Sequence, residues 1–389
     1  MVSQRNNLCT KKIASFFLIM VSFWTSGQSF KQDSISPEII QLCNKIGPSN
    51  KIIGLGESTH GTKEFTLIRA EIVKNLITNH NYKVFVLEAE YMICAKINDY
   101  VKTGKGNPES SLKNLTWPWV HKDFLDLIHW IRDYNIQNPS GQVRFLGMDA
   151  QFSKVYATQD TIRNHYPVLA NSIFEIIDSD KKPKRKIEQL RELSDQLVNQ
   201  SSEVDLRLHY YIFCRINRIA NSEYRDLNAR DQNMAQLSCL IHKKYGDKVI
   251  IWAHNSHIWK KNPSIFDRIP TGYYLDQNYG DKYAAIGFDF KSGSFTAVSY
   301  DKATKYERKV FQLKPIKNTL SMEVDYLDKK FIIIDCSDLK GKNYINSIGA
   351  IYIENPEKGD NFTSKIKKDS ELDYIILTPT STPTDLIID

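Results

Sequence analysis

The chain has 389 residues, of which 41% are hydrophobic and 25% charged, and its 52 basic and 45 acidic side chains give a net charge of +7. These proportions belong to an ordinary globular protein with ample length for a core, and they exclude a disordered or fibrous chain. The positive excess is mild and scattered, and its densest cluster, DKKPKRK at 180–186, reads as a solvated linker, so no nucleic-acid partner is expected.

At the N-terminus Arg5, Lys11 and Lys12 precede the apolar run IASFFLIMVSFW and then the small polar stretch TSGQS. This pattern predicts a secretory signal over 1–29 and an exported protein, periplasmic or extracellular. The run is short for a bilayer span and no longer one follows, so no stable membrane span is expected once the signal is removed. Its removal takes away three basic residues and no acids, reducing the net charge from +7 to +4. Cys9 leaves with it. Cysteines 43, 94, 214, 239 and 336 form no CxxC pair and no disulfide framework, though one bridge stays open. Cys94, Cys214, Cys239 and Cys336 lie in apolar runs and read as packing residues.

The remaining chain alternates apolar runs with amphipathic segments. Strands are predicted over 51–55, 83–88, 143–149, 248–254, 283–290, 331–335, 350–354 and 374–379. The first four are continuous apolar runs, the pattern of strands covered on both faces in a parallel sheet. Helices are predicted over 62–79, 89–102, 121–136, 155–165, 184–200 and 204–244. The alternation predicts an α/β fold, a mostly parallel central sheet flanked by helices. Residues 151–244 interrupt it with helices alone, predicted as an insertion capping the cleft at the strand carboxyl ends. The part from 291 to 389 is polar, with short strands.

Each strong strand ends in a conspicuous polar residue. The first runs into GLGESTHG, with Glu57 and His60; the second reaches Glu88, with Glu90 just beyond. The third ends at Asp149, the fourth runs into WAHNSH with His254 and His257, and the fifth carries Asp289. Ligands of open α/β sheets bind outside the carboxyl ends of the strands, and buried strands have no use for unpaired acids. Asp149 or Asp289 alone would read as a helix cap or turn residue; the set together predicts a functional cluster. Gly54, Gly56 and Gly61 are expected to turn the chain sharply into the next helix, whose N-terminus would face the crevice. A neutral His60 could take a proton from water, with Glu57 orienting its ring. Glu64 and Arg69 lie on the first turns of that helix, where Arg69 would fix an active-site glutamate. Ser58 does not sit in a G-x-S-x-G elbow, so Ser58 or Thr59 reads as a helix cap rather than a nucleophile. His60, His254, His257 and Glu88 could also form a zinc-type set, but no HExxH signature accompanies them, and a site without metal or other cofactor is expected.

The blocks GLGESTHGTKEFTLIRAEIVKNL, VFVLEAE, WPW…FLDLIHWIRDYN, FLGMDAQ, ARDQNMAQ, VIIWAHNSHI and TGYYLDQNYGDKYAAIGFDF, spread over residues 50 to 290, resemble the erythromycin esterase family in sequence and in order. The resemblance implies an α/β core with a deep cleft and hydrolysis of an ester, the family's characterised members opening the macrolactone ring of macrolide antibiotics. It implies His60 as the base that activates water, Glu57 and Glu88 as site carboxylates, and His254 and His257 orienting the ester or supporting its oxyanion. Arg69, and Arg230 with Asp231 from ARDQ, are implied as positioning residues, and no essential metal is implied. The expected partner is a small-molecule ester. Rival expectations are a metal-assisted ester or amide hydrolase and a non-catalytic envelope protein that binds a ligand in the same cleft.

Overall fold

Apolar runs covered on both faces build the centre of the protein. In the computed structural model, which describes residues 35–115, 117–151, 155–200, 204–261, 268–299, 307–352, 363–366 and 371–387, the strands β1 (Ile52–Leu55), β2 (Tyr82–Glu90), β3 (Arg144–Asp149) and β4 (Lys248–Trp252) are almost wholly buried. The expected signal segment 1–29 lies outside the described residues, as do residues 353 and 354 of the predicted strand 350–354. The other strands are β5 (Tyr283–Ser299), β6 (Glu307–Leu313), β7 (Ile332–Asp335), β8 (Asn343–Asn346), β9 (Ile351–Tyr352), β10 (Thr363–Ile366) and β11 (Tyr374–Ser381). The sheet runs β3-β2-β4-β1-β5-β11-β7, with β6 and β9 pairing the far end of β5, while β8 and β10 form a separate antiparallel pair. All neighbours from β3 to β11 are parallel and β7 joins antiparallel. The sheet is therefore mostly parallel and flanked by helices, as its apolar pattern predicts.

The helices preceding the insertion are α1 (Pro37–Ile46), α2 (Lys63–His80), α3 (Tyr91–Thr103), α4 (Pro108–Lys113) and α5 (Lys122–Gln137). Between β3 and β4 come α6 (Val155–His165), α7 (Pro167–Asp178), α8 (Pro183–Gln200), α9 (Leu206–Ile219) and α10 (Ala229–Tyr245). Two short helices, α11 (Asn255–Ile258) and α12 (Thr271–Tyr279), follow β4, and α13 (Leu320–Glu323) follows β6. The predicted single helix 204–244 is two. The chain passes through a π-turn at Ala220–Tyr224 and a left-handed Arg225 (φ 59°), and the Asp226 side chain takes the Asn228 N–H at 2.8 Å. Short polar side chains that bind the backbone compete with helical bonds, and the restart puts Arg230 and Asp231 in the first turn of α10. The strand predicted over 283–290 continues to Ser299 because β6 pairs its polar extension. Among the described residues no helix is long and apolar enough to cross a membrane, and the cysteines from 43 onward are free thiols.

The glycines of the opening turn do not act as expected. Gly54, Gly56 and Gly61 have no positive φ. They are needed for close approach: a Cβ on Gly56 would lie 2.2 Å from Asn255 Oδ1, and one on Gly61 would lie 1.9 Å from the Thr296 carbonyl oxygen of β5. Neither Ser58 nor Thr59 caps α2, whose N-cap position is Thr62. The start of α2 is turned to the segment after β11 rather than to a crevice, with Lys63 N–H bonded to Thr382 O at 2.9 Å. Gly61→Ala should therefore destabilise the protein by about 1–3 kcal/mol through overpacking against strand backbone that cannot yield, read as a lower urea midpoint at unchanged m-value.

Candidate active site

Strand order brings distant residues together. The register pairs Trp252 of β4 with Leu55 of β1 on one side and with Leu87 of β2 on the other, so the residues that follow, Gly56, Ala253 and Glu88, lie side by side. Asp149 ends β3 one strand further along. Glu57, His60, Glu88, His254 and His257 are all buried around this edge, each 8% exposed or less.

The first ionic group holds the histidine singled out as a base. His60 Nδ1 lies 2.7 Å from Glu57 Oε1, and the second Glu57 oxygen accepts from Arg69 Nη2. Arg69 is 1% exposed, with its guanidinium 3.8 Å from the Trp252 ring centroid, a cation over an aromatic face. Burial would push the Glu57 carboxyl up; Arg69 and His60 more than offset it and hold it below the ordinary value. Burial lowers Arg69 to about 10, so it stays charged at neutral pH. An ionised carboxylate only accepts. The hydrogen on the Glu57 side is therefore His60 Nδ1–H, which leaves Nε2 as the basic nitrogen of the neutral ring. Trp119 packs edge-on against that ring with centroids 5.4 Å apart.

The second group is larger. Arg230 donates to both oxygens of Asp149 (Nε at 3.1 Å, Nη2 at 2.8 Å) and to Glu88 Oε1 at 2.7 Å. His257 Nδ1 lies 2.6 Å from Asp231 Oδ1, and its Nε2 stands between Arg230 Nη1 at 3.0 Å and Glu88 Oε1 at 3.2 Å. Asp231 also accepts from Thr271 N and Oγ1, each at 3.0 Å, and from Arg268 Nη2 at 3.0 Å. Burial works against a charge on His257, but Asp231 and Glu88 prevail and push it up to about 9. In the charged ring Nε2–H belongs to Glu88, because the arginine cannot accept it. Glu88 itself is held well below the ordinary value: His257, then Arg230 and His60, overcome its burial.

His254 sits between the two groups. Its backbone N–H donates to Glu88 Oε2 at 2.8 Å, and its ring centroid is 5.3 Å from that of His60. Nδ1 accepts from Ser256 N–H at 3.2 Å, so Nε2 carries the hydrogen and donates to the Ser58 carbonyl at 3.2 Å. Burial, reinforced by His60, lowers this ring to about 3, which keeps it neutral. Asn255, next in the chain, ties the edge together. Its side chain bonds both N–H and C=O of Phe288, and its N–H donates to the Glu57 carbonyl at 2.8 Å.

Two residues from the predicted set do not join these groups. Glu64 turns outward and accepts from Thr382 N and Oγ1 at 2.8 and 2.7 Å, fastening α2 to the chain terminus. Asp289 lies further along β5 and bonds to Asn346 and Phe290. Among the described residues no set of three or more His, Cys, Asp or Glu side chains is disposed to hold a metal ion. Trp119, Asn255 and Thr271 were not legible as site residues; only their place within the quoted blocks hinted at them.

Breaking the first group should be costly. Arg69→Met leaves Glu57 buried without its cation and should lower stability by about 3–5 kcal/mol in a denaturant titration. The second group shapes the alkaline limb of stability. A histidine raised to about 9 in the fold, against about 6.5 unfolded, contributes stability that is complete below the unfolded value and disappears as pH rises through the folded one. The melting temperature should fall between those values, and Asp231→Asn should flatten that fall.

The erythromycin esterase family model matches residues 77–381. An Escherichia coli protein named erythromycin esterase type II is 25% identical over 324 residues, covering 69% of this chain and 76% of that one. A crystal structure of a Bacillus cereus protein superposes with a TM-score of 0.71 at 23% identity, covering 90% of this chain and 93% of that one. A mutant of the erythromycin esterase EreC in its open conformation gives 0.63 at 14% identity, over 90% of this chain and 95% of that one. With the match spanning most of its length and the fold shared along nearly all of it, the chain belongs to the erythromycin esterase family.

Proposed function

We propose that this chain hydrolyses a small-molecule ester with water activated by His60. The observation that carries the reading is the buried Arg69–Glu57–His60 relay, in which a carboxylate held ionised accepts the His60 Nδ1 hydrogen and so turns Nε2 away from it as the proton-accepting nitrogen. Water gives that nitrogen a proton as its oxygen bonds to the ester carbonyl carbon. The carbon–oxygen bond to the alcohol then breaks, and the His60 proton passes to the departing alkoxide, yielding acid and alcohol. Negative charge developing on the carbonyl oxygen is met by the cationic edge of Arg230 and His257, where fixed charge away from water contributes most. His254, neutral and bonded to the Ser58 carbonyl, serves to hold the turn.

Family membership and the named relatives support lactones of the macrolide type as first substrates. The N-terminal segment supports action outside the cytoplasm, intercepting such an ester before it enters the cell.

The test is incubation of the purified protein with a macrolide panel and simple lactones, read by mass spectrometry for gain of one water. His60→Ala should lower kcat by about a thousandfold with a folded spectrum retained. Binding without turnover by the unmutated protein would identify a ligand-binding protein instead, and loss of activity to a chelator with rescue by zinc would identify a metal-assisted hydrolase.

A further inference from the structure

One fully buried carboxylate takes no part in the two ionic groups. Asp289 receives Phe290 N–H at 2.8 Å, Asn346 N–H at 3.2 Å, Asn346 Nδ2–H at 2.8 Å and the Ser321 hydroxyl. Asn346 gives the other amide hydrogen to the Phe290 carbonyl at 2.9 Å. Burial pushes the Asp289 carboxyl up to about 7, even against the four donors directed at its oxygens, which favour the ionised form. The end of β8 is thereby fastened to β5 by side chains rather than by a strand ladder.

The chain leaving that fastening goes straight to the catalytic turn. Ile348 N–H and Gly349 N–H both donate to the Ser58 carbonyl, at 2.7 and 3.1 Å, and the same oxygen accepts His254 Nε2–H at 3.2 Å. Thr59 Oγ1 donates to the Gly349 carbonyl at 3.4 Å, and Val298 N–H donates to that of Ala350 at 2.9 Å. Gly349 has φ +76°, and a Cβ there would lie 3.9 Å from His254 Nε2. Segment 346–350 is thus tied at both ends across residues 58 and 59.

We propose that segment 346–350 is a strap that positions His254 and the Glu57–His60 turn, and that Asp289 and Asn346 are positioning residues anchoring it. This assignment rests on the hydrolytic reading of His60. The two backbone donors fix where the Ser58 oxygen sits, that oxygen fixes where the His254 ring points, and Ser58 directly follows Glu57. Loosening the strap shifts the base relative to its substrate without removing any reacting group.

The test uses the full chain and two variants. Asp289→Asn exchanges an acceptor for an amide facing the Asn346 donors, and Gly349→Ala strains the strap at its left-handed residue without touching the buried anchor. In each, hydrogen–deuterium exchange over 343–352 should quicken about tenfold relative to the rest of the sheet. For an ester turned over by the unmutated protein, kcat should fall about tenfold while KM stays within about twofold. His254 ring nitrogen resonances should shift in step. If Asp289→Asn does not fold, Gly349→Ala decides. Quickened exchange with unchanged kcat and unchanged His254 resonances would reduce the strap to a structural tie and overturn the proposal, as would unaltered exchange. If the unmutated protein turns over no ester, the hydrolytic reading fails by itself, and the exchange and ring resonances still decide whether the strap positions His254.

Discussion

The site depends on keeping one carboxylate ionised inside the protein. Glu57 is 1% exposed, and an isolated buried carboxylate would take up a proton rather than remain charged. Arg69 prevents this, itself buried with its guanidinium over the Trp252 ring. The relay therefore draws on three elements: the end of β1 supplies the acid, the second turn of α2 the cation, and β4 the aromatic platform. With Glu57 ionised, the orientation and tautomer of His60 follow, and with them the side of the ring that can accept a proton.

The two histidines of WAHNSH show how environment divides identical side chains. They lie three residues apart around one short helix, yet His257 is raised to about 9 and His254 is lowered to about 3. The difference is in their neighbours. His257 faces the carboxylates of Asp231 and Glu88, whereas the His254 ring faces a serine and a backbone carbonyl. The fold thus keeps one charged and one neutral ring at the same strand edge. Pairs of titratable groups pushed apart in this way commonly mark acid and base roles.

Much of this was legible in the sequence because strands buried on both faces are continuous apolar runs, so the polar residue ending each one stands out. That Glu88, His254 and Glu57 end up adjacent was not legible in the same way, since strand order is set by pairings between residues as remote as Ile52 and Val249 or Ile52 and Tyr283. Glu64 and Arg69 looked equivalent from spacing alone. Five residues along a helix is a rotation of about 500°, which leaves them about 140° apart around the axis. One meets Glu57 and the other meets Thr382. The glycines misled for a related reason: sequence does not distinguish a glycine needed for a turn from one needed because another chain passes within contact distance.

The turn from Gly56 to Thr62 carries Glu57 and His60 yet is not part of a helix or a long strand, so its rigidity must come from elsewhere. Its carbonyls are held from several directions: Glu57 by Asn255 N–H, Ser58 by Ile348 and Gly349, and Gly61 by Thr296 and Thr384. Three of those five donors lie beyond residue 340. The polar C-terminal third, least expressive in sequence, thus supplies the backbone donors that keep the turn in one conformation. A general base is effective when its geometry exists before the substrate arrives. Here the strands deliver the ionisable groups to a common edge, and the late segments that cross that edge hold them there.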